Sequence, residues 1–144
     1  TAQLKSMSRE NERLAIELNK GLAKLGDALI NFLFSSAKTK ATNTPTGGRV
    51  PNKVLSKALK YANICLDMFS YGELKDKADL VEAIIAYAWL NRILTLQELE
   101  EILVAYLRRL QFNSLELEKE LLAKGFASML KTIIERLSVL HGQT

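Results

Sequence analysis

The sequence predicts an all-α protein, on three observations. Apolar residues recur at helical spacing, as at Leu22, Leu25, Leu29, Phe32 and Leu33. No alternation of period two persists for five residues, so no strand is expected. Both prolines, Pro45 and Pro51, fall in one stretch, "KTKATNTPTGGRVPN", and the rest of the chain has none.

Each element follows from its local pattern. "SMSRENERLAIELN" reads as a short amphipathic helix, and a second helix runs from about Lys20 to Ala37. Residues 38–52, with both prolines, Gly47 and Gly48, form a loop. Asn52 is a suitable cap for a helix over Lys53–Phe69, and "YGELKDK" breaks the chain. Asp76 can cap a helix over Ala78–Arg92, and Thr95 one over "LQELEEILVAYLRRL". Asn113 or Ser114 opens the last, "LELEKELLAKGFASMLKTIIERLSVL", which carries Glu–Lys pairs at i,i+4. With no repeat and no dividing linker, residues 1–144 read as a single helical domain.

Composition narrows the chemistry. The chain is 48% apolar and 25% charged, as globular proteins are. No run approaches the roughly 20 apolar residues of a membrane helix, and the polar opening shows no signal-peptide block. One cysteine, Cys65, excludes an internal disulfide and a cysteine-rich zinc site, and suits a reducing, cytoplasmic setting. Flanked by Ile64 and Leu66, it reads as a buried thiol, and Tyr87 and Trp89 read as core. The single histidine, His141, lies near the end, so neither a His-ligated metal nor a Ser-His-Asp triad is expected. Any catalysis must come from carboxylates, lysines or hydroxyls.

Charge is unevenly placed. The net charge is +4, yet between Ala28 and Leu66 there is no acid, while Lys38, Lys40, Arg49, Lys53, Lys57 and Lys60 fall there. Such a segment is a candidate grip for phosphates; the alternative is a solvated basic face without a partner. "GG" at 47–48 lacks the Gly-Lys-Ser/Thr continuation of a phosphate-binding loop.

Two stretches carry acids in apolar settings. In "LAKLGDALINF", Asp27 lies opposite the Leu22/Leu25/Leu29 stripe, with Lys20, Lys24 and Asn31. It could be a surface acid paired with Lys24. In "ADLVEAIIAYAWL", everything after Glu82 is apolar or aromatic, the mark of a buried helix. Asp79 suits that helix's N-terminus, but Glu82 sits a turn deeper. A buried, unpartnered carboxylate costs several kcal/mol and tends to protonate. A divalent cation relieves a cluster of such groups, because hard cations take oxygen ligands. Asp27, Asp79 and Glu82 are therefore candidate ligands for Mg²⁺ or Mn²⁺.

These stretches resemble a family. "LAKLGDALINF" resembles the E-F-L-G-D-A-V-L segment of ribonuclease III, and "ADLVEAIIAYAWL" its A-D-x-x-E-A-L-I-G-A helix. "GRVPNKVLSKAL", between them, is similar to the L-V-S-N-x-x-L-A segment, so three motifs stand in order within 20–92. The resemblance implies a helical bundle of the ribonuclease III endonuclease type. It implies a homodimer that hydrolyses double-stranded or structured RNA with Mg²⁺. Asp27, Asp79 and Glu82 match the family's catalytic acids, and the basic segment would hold RNA. One family acid is replaced: its glutamate four residues before the signature aspartate is Ala23 here, and the one seven before is Lys20. The short Mini-III branch likewise has a small residue there. The alternative is a catalytically impaired module of the same fold that dimerises and binds structured RNA.

Overall fold

The computed structural model describes residues 15–110 and 114–140 in full and the helical backbone of 141–142. Among these residues are five helices: α1 Lys20–Thr42, α2 Asn52–Ala62, α3 Lys77–Leu90, α4 Leu96–Leu107 and α5 Leu115–Gly142. Two two-residue strands, β1 Ile16–Glu17 and β2 Phe69–Ser70, pair in parallel. Among the described residues the fold is all-α apart from this pair, which corrects the expectation of no strand.

Helix α3 is the hub. Ala78, Leu80, Val81, Ala83, Ile84, Ile85, Ala86 and Ala88 are all buried, so it offers no solvated face over most of its length. It packs chiefly against α1, then α2, with a smaller contact to α5; α2 and α4 lie on α5. Leu33, Leu99, Leu103, Phe126, Met129 and Leu130 fill the shared core.

Caps explain most boundaries. Asn19 accepts from Leu22 N at 2.9 Å and starts α1. Asp76 accepts from Ala78 N at 3.1 Å and starts α3, as expected. Thr95 and Glu98 form a reciprocal capping box on α4. Glu98 also meets Arg136 of α5 at 2.5 Å, and this guanidinium, with the Thr95 backbone, holds its carboxyl down to about 2. Ser114 accepts from Leu117 N at 3.2 Å and opens α5.

Four further expectations are corrected. Helix α1 continues to Thr42 because the following loop folds back onto it: the Thr39 hydroxyl donates to Thr46 O and accepts from Thr46 N, and Gly48 N donates to Ser35 Oγ. Asn52 is not a cap but the first helical residue, because Pro51 already holds the extended cap conformation and has no side chain to accept. Helix α2 stops at Ala62, where Asn63 turns left-handed at φ 46° and closes on Leu59 O. Residues 15–19 are not helical, since Ile16 N bonds Met68 O and Leu18 N bonds Ser70 O; the rest of the expected N-terminal helix lies outside the described residues. Two side-chain placements also differ. Cys65 is exposed, in the connection after α2, and Phe32 is 55% exposed on the outer face of α1. Tyr87 and Trp89 are half-buried and pack against the core.

Candidate active site

Gly26 sets the geometry. A Cβ at this position would stand 2.0 Å from the Glu82 carbonyl oxygen, so α1 and α3 touch backbone to backbone there. The crossing is possible only without a side chain at Gly26. It brings the next residue, Asp27, against Glu82.

A cleft of about 380 Å³ opens over this crossing. Lys20, Ala23, Lys24 and Asp27 of α1 form one wall, and Asp79 and Glu82 of α3 the other. Arg49, Asn52 and Leu74 close its rim. All three acids expected from the sequence therefore face one space. Ala23 faces it too, so the missing family acid is missing from the cleft itself.

The acids differ in environment. Glu82 is only 5% exposed. Burial pushes its carboxyl up to about 8, helped by a hydrogen bond with Asp27 and by the charges of Asp27, Asp79 and Asp76. Beside Asp27, this setting favours the protonated form of Glu82 at neutral pH. Asp27 is half-exposed and is oriented by two partners. Asn31 Nδ2 donates to its Oδ1 at 3.1 Å, and Arg49 Nη2 to its Oδ2 at 3.4 Å. Asn31 in turn accepts from Val50 N at 2.8 Å, which ties the loop to the same turn of α1. The simple reading of Asp27, a surface pair with Lys24, is replaced by this Asn31–Arg49 arrangement.

Donor chemistry in the cleft suits a hard divalent cation: all oxygen, two carboxyls in contact and a third on the same wall. Among the described residues no three acidic, histidine or cysteine side chains stand close enough to form a ligand set. The arrangement is a contacting pair, Asp27 and Glu82, with Asp79 beside it. Of the other acids near these motifs, Asp76 caps α3, while Glu17 and Glu73 are exposed and do not line the cleft.

The six basic residues differ in their surroundings. Arg49 enters the cleft. Lys38 pairs with buried Glu118 at 2.6 Å, Lys40 with buried Glu100 at 2.5 Å and Lys57 with Glu120 at 2.7 Å. These pairs tie α1 and α2 to α4 and α5. Lys53 and Lys60 are exposed on α2. Lys20 and Lys24, which the sequence places on the face of Asp27 but outside the basic segment, also line the cleft.

No curated protein matches the chain significantly. The family model described as ribonuclease III matches residues 20–139, from the start of α1 almost to the end of α5. Both cleft-forming helices lie inside that span, and the chain belongs to the ribonuclease III family.

Proposed function

We propose that this chain is a divalent-metal-dependent endoribonuclease that cuts double-stranded or structured RNA as a homodimer. The observation that carries the reading is the contact of Asp27 with Glu82 in a cleft that Asp79 also lines, within a ribonuclease III domain. Asp27, Glu82 and Asp79 would hold Mg²⁺ or Mn²⁺, Glu82 losing its proton as the ion enters. When bound, the ion would supply an activated water and neutralise charge developing at the scissile phosphate.

This chain's own groups supply the rest. Asn31 fixes the rotamer of Asp27, and Gly26 fixes the distance between the acid-bearing helices. Lys20, Lys24 and Arg49 ring the acids with positive charge, which favours a phosphodiester over the cleft. Arg49 is released from Asp27 as it turns to the phosphate. Recognition follows A-form shape and 2′-hydroxyls rather than base identity.

A second reading has specific support. Ala23 replaces a family acid, and the described residues hold no preformed three-ligand group. On that reading the domain binds structured RNA without cutting it. Long double-stranded RNA incubated with Mg²⁺ separates the two. Cleavage by the native chain, lost on Glu82→Gln, supports the nuclease. Gel-shift binding that weakens steeply with salt, without products, supports the binding module. Equal cutting by the Glu82→Gln variant removes Glu82 from the chemistry.

A further inference from the structure

A second groove, of about 600 Å³, shares no lining residue with the acid cleft. It runs between the C-terminal ends of α2 and α4 and the middle of α5. Its α5 wall places Glu120, Lys124, Ser128 and Lys131 on one helical face, at spacings of four, four and three residues. Lys124 and Lys131 are exposed and stand about 10 Å apart along the axis. Facing them are Tyr106 and Arg109, whose guanidinium lies 4.8 Å from the Tyr106 ring centre. Tyr61 closes the far end.

The one acid here is already engaged. Glu120 accepts from Lys57 Nζ at 2.7 Å and from the Tyr61 hydroxyl at 2.6 Å. Lys124 lies within the field of Glu120, but among the described residues neither it nor Arg109 nor Lys131 forms an ion pair, and all three line a floor made small by Ala127 and Ser128. Cations in an open, shallow groove with flat aromatic and guanidinium faces suit a chain of phosphates carrying unstacked bases. A duplex is convex and keeps its base faces stacked, so it would present phosphates here but nothing for Tyr106 and Arg109 to stack on.

We propose that this groove binds single-stranded RNA, Lys124 and Lys131 holding phosphates and the Arg109–Tyr106 stack receiving a base. Resting on the RNA-directed reading above, the groove would hold the unpaired flank of a structured substrate whose paired part lies at the acid cleft. Binding needs no cleavage, so it is measurable whether or not the cleft is catalytic.

The test is fluorescence anisotropy of the full chain in EDTA, with a labelled oligouridine and, separately, a blunt RNA duplex. A Lys124→Gln/Lys131→Gln variant should bind oligouridine about tenfold more weakly. Its log–log salt dependence should be shallower by about 1.4, two single-strand phosphate contacts fewer. Its duplex binding should be unchanged. An abasic strand of equal length should bind the native chain several-fold more weakly than oligouridine, because stacking is lost. Failure of the native chain to bind oligouridine at low salt overturns the proposal. So does equal binding by the variant, an equal loss for duplex and single strand, or equal binding of the abasic strand.

Discussion

Glu82 is a carboxyl in a place that opposes its charge. Every neighbour from Val81 to Ala86 is buried, and the acids it faces, Asp27, Asp79 and Asp76, all raise the cost of ionising it. Without a cation the native state keeps its proton up to about pH 8, whereas an unfolded chain releases it near 4.5. The native state therefore holds the extra proton across that window, and stability falls as pH rises through it. Urea unfolding in EDTA should show the native chain losing a few kcal/mol between pH 5 and about 8.5 relative to Glu82→Gln, which has no proton to lose. A parallel pH dependence in the two chains would place the raised group elsewhere. Glu82 could be found from the sequence because an acid opening an all-apolar helix conflicts with its surroundings, and Asp27 because its segment resembles the ribonuclease III signature. Arg49 on Asp27 could not, since that contact depends on a loop whose path no local pattern dictates.

Between elements, the decisive contact is Gly26 on the Glu82 backbone. In Gly26→Ala the added methyl would need space now held by a carbonyl oxygen 2.0 Å away, and backbone cannot rotate aside as a side chain can. The variant should lose about 3 kcal/mol or more of stability, read by urea denaturation, and any RNA cleavage should fall with it. An unchanged midpoint would mean that the helices do not cross this closely. The helices themselves were legible because caps and apolar stripes are local: Asp76, Thr95 and Ser114 begin helices as their side chains foretell. Less legible was whatever depended on distant partners. The β1–β2 pair spans only two residues a strand, too short to show alternation, and joins segments some fifty residues apart. The extra turn of α1 rests on hydrogen bonds from a loop that is polar and proline-containing by composition. The burial of Glu100 and Glu118 likewise depends on Lys40 and Lys38 reaching them from α1.

At the scale of the whole molecule, no helix among the described residues is long and apolar enough to cross a membrane. Phe32 instead exposes over half its surface on α1, five residues from Asp27 and outside the core. A large aromatic ring left in water suits a contact with the second copy proposed above. Phe32→Asp should shift the chain from dimer to monomer in light scattering while leaving its helical circular dichroism intact. A native chain that is already monomeric at high concentration would refute that. The whole functional reading depends on a cation lodging in the cleft that Asp27, Asp79 and Glu82 line. Anomalous diffraction from crystals soaked in Mn²⁺ tests this most directly. The expected result is a peak between the carboxyls of Asp27 and Glu82, absent in Glu82→Gln; an empty cleft at saturating Mn²⁺ would contradict it.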